Sequence, residues 1–238
     1  MIVPAYNERA RIGATLAALA TQTDTDFTLL VVDNASTDGT AEVAAAFRGP
    51  FRTEVITEAE KGVGSAVDTG FRYAIANGAV HLARTDADCL PRPDWVAAAR
   101  RALASGAGLA CGRIVARPDE HGLLGRAFFR LLVTLAATFG RLRPAHRGRE
   151  FRAPYRMHAG NNMAITAELY QACGGMPRSP SPTDRTFLNR VRRTTTAIVH
   201  SRDMVVANST RRIRAYGVLG TAKWYLDRGS GPLTADPR

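Results

Sequence analysis

Lysine, cysteine and long apolar runs are all scarce in this 238-residue sequence. Only two of the 32 basic residues are lysines, Lys61 and Lys223, so arginine carries nearly all of the positive charge. The cysteines Cys89, Cys111 and Cys173 are well separated, and they form neither a zinc-binding spacing nor an even disulfide framework. We therefore expect three buried thiols in a reducing cytoplasm.

The sequence also lacks the usual signals of membrane insertion and export. No run of 18 apolar residues occurs, which predicts that the chain has no membrane span. The chain opens directly into an apolar strand, and we therefore expect no secretory signal.

The composition indicates a folded protein with anionic partners. Apolar residues make up 45% of the chain, enough for a buried core, and the length suits one large domain or one domain with a small appendage. The net charge of +11 favours nucleotide diphosphates, acidic lipid surfaces or nucleic acid as partners. Because the arginines are scattered and no nucleic-acid-binding motif is present, we expect no nucleic acid partner.

Up to residue 115, short apolar runs alternate with amphipathic stretches. The expected strands are residues 2–4, 27–32, 51–56, 79–83 and 109–115. The expected helices are residues 10–20, 40–47, 65–76 and 95–104. Such alternation predicts an α/β fold, in which a mostly parallel sheet has helices on both faces. Ligands of these sheets bind beyond the carboxyl ends of the strands, so we expect the chemistry there.

Residues 116–156 break this rhythm. An apolar helix is expected at about 122–140, interrupted by Arg126 and Arg130 and followed by an arginine-rich stretch. This helix could pack on the domain with its arginines facing water, or lie in a membrane interface with its arginines on lipid phosphates. A strand region near 157–165 and helices near 167–173, 183–193 and 211–228 follow, and we expect a flexible tail over 229–238.

Three strand ends carry side chains that suit a nucleotide. Tyr6, between Pro4 and Glu8, could stack on a base, although an ordinary turn capped by Asn7 also explains this segment. Asp33 directly follows an apolar strand, where a carboxylate is costly to bury unless it has a partner such as the N–H of a pyrimidine. After the third strand, Lys61 could reach a phosphate and the two nearby glycines would let the backbone approach it, but a plain turn fits as well.

The fourth strand is followed by the most informative motif, Asp86-Ala87-Asp88. Two carboxylates this close repel each other, and a divalent cation is an effective way to offset the repulsion. Oxygen ligands suit Mg²⁺ or Mn²⁺, which usually keep several waters and bridge substrate phosphates.

Taken in order, these motifs resemble the family 2 glycosyltransferases of the GT-A fold. The residues that carry the resemblance are 2–8, 32–40, 61–66 and 86–88. The resemblance implies that residues 1–115 are the donor-binding half and 116–228 the acceptor-side half. It implies that Tyr6 and Asp33 hold the nucleobase, with Pro4, Glu8 and Lys61 also on the donor side. Asp86 and Asp88 would contact the ribose and the metal bound to the diphosphate.

The second half resembles the family less closely. Gly174-Gly175 matches an acceptor-side glycine pair, and Thr183-Asp184 matches the family's Glu-Asp segment, with threonine in place of glutamate. The resemblance makes Asp184 the catalytic base, although a carboxylate at the first turn of a helix is also favoured by the helix dipole. Residues 158–162 resemble the strand that lines the acceptor side, which places Gly160 and Asn161 there, although Asn161 and Asn162 could also simply form a turn.

Late residues of the sequence could complete the site. In some relatives a late histidine completes the metal sphere and late arginines meet the diphosphate, roles that would fall on His200 and on Arg211 and Arg212. A lone histidine is more often structural. The Gln-x-x-Arg-Trp signature of processive polysaccharide synthases is absent from the sequence, which favours a single-transfer enzyme.

The resemblance implies an inverting, metal-dependent glycosyltransferase. The expected donor is a UDP- or GDP-linked sugar, and the expected acceptor is a saccharide or a lipid-linked, cell-envelope molecule. The expected location is the cytoplasm, with peripheral contact to the anionic inner face of the plasma membrane. A nucleotidyltransferase and a non-catalytic module that binds nucleotide sugars or a membrane surface are the alternatives.

Overall fold

A computed structural model of the chain describes residues 1–120, 122–142, 148–178, 183–211 and 217. Within these residues the strands are β1 (Ile2–Ala5), β2 (Thr28–Asp33), β3 (Arg52–Thr57), β4 (His81–Arg84), β5 (Leu90–Pro91), β6 (Leu109–Ala116), β7 (Met163–Thr166) and β8 (Ile198–Asn208). The helices are α1 (Arg9–Ala20), α2 (Thr40–Ala46), α3 (Val63–Ala76), α4 (Trp95–Ala104), α5 (Leu123–Leu142), α6 (Ala167–Ala172) and α7 (Thr183–Thr194).

The strands of the described residues form one mixed sheet in the order β3-β2-β1-β4-β7-β6-β8-β5. Strands β1, β2, β3 and β4 are parallel, and β6 and β8 point the same way as they do, since β7 is antiparallel to both β4 and β6. The mostly parallel α/β fold is therefore confirmed. Because β7 runs backwards, it begins at the edge where β4 ends, with Met163 opposite Arg84.

Alternating side chains of the strands bury two apolar layers. On one face, β-strand residues such as Ile2 and Leu30 pack with α3, α6 and α7. On the other face, Val3 and Leu29 pack with α1 and α2, and Met204 packs with α4. This alternation has the period of two that a strand imposes, and burial of both faces explains the continuous apolar run at 27–32.

The structure differs from the sequence prediction mainly in its last third. The prediction has no strand over residues 198–208, where the structure has β8, and none at β5. The expected strand region near 157–165 begins only at Met163, and residues 158–162 form the turn that precedes it. The predicted helix over 211–228 and tail over 229–238 lie outside the described residues, apart from Arg211 and Gly217.

Helix α5 lies on the outside of the fold and contacts β6. Its residues 123–141 are long and apolar enough, by length and composition alone, for a membrane span, and 6% of them are buried. Leu124 is 88% exposed and Leu131 is 53% exposed. The expectation that the chain has no membrane span stays a prediction, since a helix of this kind satisfies the length criterion without an uninterrupted apolar run.

Asn162 is the polar centre that joins four elements of the sheet's second half. Its Oδ1 accepts a hydrogen bond from Trp95 Nε1 at 2.8 Å, and its Nδ2 donates to the carbonyls of Arg113 and Met204 at 3.0 and 3.1 Å. The side chain is fully buried. Loss of its amide would leave these groups unpaired in the core, which is costly because water cannot replace the lost partners.

We expect Asn162→Ala to lower the free energy of unfolding by about 3 kcal/mol, since it leaves a buried indole N–H and two carbonyls without a partner. Urea denaturation measures the change. Asn77→Ala, at an exposed site after α3, is the matched control. Equal destabilisation by the two variants would contradict the structural role of Asn162.

Candidate functional site

The carboxyl ends of β1, β2 and β4 meet at one edge of the sheet, and the predicted donor-side residues follow them. Ala5 at the end of β1 lies opposite Asp33 at the end of β2. Pro4 is buried within β1, opposite Val32, one residue before the end of the strand.

Tyr6 and Lys61 lie against each other at this edge. Lys61 Nζ donates a hydrogen bond to Tyr6 Oη at 3.2 Å and lies 5.1 Å from the centroid of the ring. Asn34 fixes the loop between β3 and α3 that carries Lys61. Its Nδ2 donates to the carbonyls of Glu58 and Glu60 at 2.9 and 2.8 Å, and its Oδ1 accepts from the Gly62 N–H at 2.7 Å. An aromatic face and an ammonium group are thereby presented side by side.

Asp33 is buried beside them with one oxygen unused. Its Oδ2 accepts a hydrogen bond from the Ser36 N–H at 3.1 Å, whereas its Oδ1 is buried and has no hydrogen-bond partner among the described residues. A buried carboxylate oxygen without a donor is costly. A ligand N–H would remove that cost, which is what a nucleobase offers.

Glu8 and Asp88 share one arginine. Arg211 donates to both oxygens of Glu8 at 2.8 and 2.7 Å, and its Nη2 lies 3.2 Å from Asp88 Oδ2. Glu8 is almost fully buried, and the two-pronged contact satisfies its charge. Arg211 is thereby held against the residue before α1 and the Asp-x-Asp motif.

A second arginine joins the motif to the predicted base. Arg84, the last residue of β4, donates from Nε to Asp86 Oδ1 at 3.0 Å and from Nη1 to Asp184 Oδ1 at 2.9 Å. Asp184 lies in the first turn of α7, from the opposite half of the chain. The structure therefore brings Asp86 and Asp184 to one guanidinium.

The pKa values of Asp86 and Asp184 are shifted in opposite directions. Burial raises the pKa of Asp86, and the negative charges of Asp88 and Asp184 add to the effect of burial against the opposing charge of Arg84. Partial burial also disfavours the ionised form of Asp184, but Arg84 and His158 outweigh this effect and hold the pKa of Asp184 below its usual value. Asp184 is therefore ionised at neutral pH and able to accept a proton.

The turn before β7 closes around Asp184. The backbone N–H of Gly160 donates to the Asp184 carboxylate, and a Cβ at Gly160 would overlap that carboxylate. His158 lies in the same turn, with its Nε2 buried and without a hydrogen-bond partner among the described residues. Gly160, predicted on the acceptor side, is thus in direct contact with the predicted base.

The oxygen donors at this edge fit a divalent cation. Asp86 and Asp88 supply carboxylates, and Asn161 has a buried Oδ1 with no hydrogen-bond partner in the described part of the chain. Asn161 is linked to Asp88 through Cys89, whose Sγ lies 3.3 Å from each side chain. No three His, Cys, Asp or Glu side chains of the described residues form a metal cluster. Mg²⁺ and Mn²⁺ usually take only one or two protein carboxylates together with substrate phosphates, so this set is sufficient.

His200, the other predicted metal ligand, lies in a different environment. It sits on β8 opposite Cys111, and burial, together with the charges of Arg156, His158 and Arg141, lowers its pKa to about 4. The arginines around it oppose a bound cation. The structure does not bring His200 into the contacts described for Asp86 and Asp88.

Gly174 and Gly175, predicted on the acceptor side, form the turn after α6. Both have positive φ, at +79° and +70°, and both carbonyls accept hydrogen bonds from Arg190. A Cβ at Gly175 would lie 2.8 Å from Asp68 of α3. The described contacts of the pair are with α3, α6 and α7, and their role toward an acceptor stays a prediction.

Arg84 and Asn34 have clear functions in this arrangement that the sequence prediction did not assign. For Arg84 the signal was present: a charged residue that ends a buried apolar strand needs a partner, the argument that identified Asp33. Asp184, its partner, is 100 residues away, and nothing in the spacing indicates that the two meet.

Comparison with known proteins places the chain in a family. A profile of the family described as Glycosyl transferase family 2 matches residues 1–172. Glycosyltransferase AglE of Haloferax volcanii is 38% identical over 100 residues, which cover 40% of this chain and 32% of that protein. The chain thus spans about a third of the length of this curated relative.

Solved structures resemble the whole fold. A mannosyltransferase from Pyrobaculum calidifontis, in complex with GDP-Man and Mn²⁺, has a TM-score of 0.65 and 25% identity, covering 99% of this chain and 66% of that one. Glucosyl-3-phosphoglycerate synthase from Mycobacterium tuberculosis, with Mn²⁺ and UDP-Glc, has a TM-score of 0.57 at 22% identity, covering 97% and 78%. The likeness to the synthase, at 22% identity, supports the fold alone.

The lowered pKa of His200 predicts a pH-dependent stability. In the unfolded chain the imidazole binds a proton below its ordinary pKa of 6.5, whereas in the folded chain it does so only near pH 4. Between these values the unfolded state holds more protons, so stability falls as the pH falls from 6.5 to 4. We expect His200→Gln to reduce that slope in urea denaturations, with exposed His81→Gln as control. Identical slopes in the wild type and the His200 variant would contradict the assignment.

Proposed function

The chain belongs to glycosyl transferase family 2, and on that premise we propose that it transfers a sugar from a nucleotide-diphosphate sugar to an acceptor hydroxyl. We propose that the transfer is inverting, non-processive and directed to a lipid-linked or cell-envelope acceptor. The observation that carries the proposal is the convergence of Asp86, Asp88 and Asp184 at one edge of the sheet, with Arg84 between the first and the last.

The donor side offers a contact for each part of a nucleotide sugar. Tyr6 presents a ring for the base, and the unused Oδ1 of Asp33 can accept a base N–H. Lys61 lies beside Tyr6, where an ammonium group can reach a phosphate. The mannosyltransferase from Pyrobaculum calidifontis holds GDP-Man together with Mn²⁺, which supports a nucleotide-diphosphate sugar, UDP- or GDP-linked, as the donor here.

A divalent cation held by Asp86 and Asp88 would offset the charge that develops on the departing nucleoside diphosphate. Arg211 lies against Asp88 and Glu8, so a second positive charge already stands at the same position.

The proposed reaction is one displacement at the anomeric carbon. The acceptor oxygen forms a bond to that carbon while the bond to the diphosphate oxygen breaks, and the nucleoside diphosphate leaves with the electron pair. Asp184 takes the acceptor proton, and its lowered pKa keeps it ionised for that purpose at neutral pH. A single displacement from the face opposite the leaving group inverts the configuration of the sugar.

Helix α5 supports a membrane-bound acceptor. Leu124, Leu131, Leu135 and Phe139 follow helical spacing along one exposed stripe, and Arg126 lies on another exposed side. Each leucine that enters an apolar layer contributes up to about 2 kcal/mol. We propose that α5 lies on the inner face of the plasma membrane and keeps the site near lipid-linked acceptors.

We expect Asp184→Asn to slow transfer by roughly 10²- to 10⁴-fold, because the amide cannot accept the acceptor's proton. Donor affinity should stay within about threefold of wild type, since binding does not need the base. Transfer is followed with UDP- and GDP-sugars, and donor affinity by thermal shift with and without Mn²⁺.

The control for this experiment is Asp203→Asn, which replaces an aspartate that is 69% exposed on β8. Wild-type turnover in the Asp184 variant would reject the assignment of the base. If the wild-type protein binds the donor tightly but transfers sugar to no acceptor, the result would favour the non-catalytic binding module.

We expect the protein to float with vesicles of phosphatidylglycerol and phosphatidylcholine, and Leu131→Glu to weaken that binding by about tenfold, because it places a charge in the apolar stripe. Val80→Glu makes the same change in charge at a site that is 69% exposed away from α5. Absence of vesicle binding at low salt, or equal losses in both variants, would count against the membrane role of α5.

A further inference from the structure

Arg84 is the most deeply buried charged side chain at the site, with 2% of it exposed. It ends β4, between β1 and β7, so its backbone is held by strands on both sides. Three of its nitrogens contact two carboxylates: Nε and Nη2 reach Asp86 at 3.0 and 3.4 Å, and Nη1 reaches Asp184 at 2.9 Å.

The two carboxylates belong to different parts of the molecule. Asp86 follows β4 in the donor half, and Asp184 begins α7 in the second half, 100 residues after Arg84. Asp184 is the more exposed of the two, at 40%, so packing alone does not fix its carboxylate. Among the contacts described for that carboxylate, Arg84 and the Gly160 N–H supply the hydrogen bonds.

We propose that Arg84 is a positioning residue that holds the base, Asp184, at a set distance from the donor-side carboxylate Asp86. This inference rests on the proposed function, in which Asp184 takes the acceptor proton. A planar guanidinium can contact two carboxylates from opposite sides with directed N–H groups, and its rigid fork transmits the position of one to the other.

The arrangement also determines which oxygen of Asp184 is available. Oδ1 accepts from Arg84, and Oδ2 is the oxygen that Arg84 does not contact. The absence of a side chain at Gly160 leaves the carboxylate room in this orientation. A lysine at position 84 would keep the charge, but a single ammonium group on a flexible stem cannot hold both carboxylates in this geometry.

The inference predicts energetic coupling between Arg84 and Asp184. We expect Arg84→Lys to lower kcat for transfer by about 10²-fold at saturating donor, because a displacement of the base by about 1 Å costs that much. In the Asp184→Asn background the same substitution should lower the residual rate by less than about threefold, since the group that it positions is gone. Long incubations measure the residual rates.

Two controls separate positioning from a general effect on the fold. Arg192→Lys removes another buried guanidinium, at the far end of α7, which stacks 4.0 Å from the Phe151 ring. It should lower the thermal unfolding midpoint but leave kcat within about twofold of wild type. If Arg84→Lys unfolds, Arg84→Gln, which keeps a planar donor, is used in the same cycle.

Each outcome decides between the proposals. Equal losses from Arg84→Lys in both backgrounds, or a loss in Arg192→Lys as large as in Arg84→Lys, would overturn the positioning role. Wild-type turnover of the single variant Asp184→Asn would instead overturn the proposed function, whatever Arg84 does. A slow Asp184→Asn enzyme with coupled Arg84 supports both.

Discussion

Crowding of negative charge at the carboxyl edge of the sheet is the constraint that organises this molecule. Burial raises the pKa of Asp86, and the negative charges of Asp88 and Asp184 add to that effect. Arg84 and Arg211 provide two positive partners from inside the protein. A cation and a substrate diphosphate would redistribute these charges rather than introduce them, so the folded state is already prepared for its ligand.

The first half of the chain could be predicted from sequence because its determinants are local. Apolar runs mark the strands, and Tyr6, Asp33 and Asp86 each follow one of them, so the parallel arrangement brings them to one edge without further information. Asn34 escaped prediction because its amide acts on the loop that carries Lys61, a contact between two strand ends that no spacing specifies.

The second half could be predicted less well because its order depends on contacts distant in sequence. Strand β8 escaped prediction because the polar residues His200, Ser201, Arg202 and Asp203 separate its two apolar runs, where the register with β6 is irregular. The family resemblance pointed to Asp184 as a site residue, whereas it gave no reason to select Arg84, its partner. Burial of an arginine cannot be predicted until the carboxylate that pairs with its charge is known.

The reversed direction of β7 has a consequence for the dynamics of the site. The turn that touches Asp184 leads directly into a central strand, hydrogen-bonded to β4 on one side and β6 on the other. Amide protons of such a strand exchange with solvent only in large-scale openings, whereas ligand-binding loops usually exchange through small local ones. The wall of the site next to Asp184 is therefore anchored to a strand that opens only with the core, and local flexibility around the site must come from segments outside the sheet.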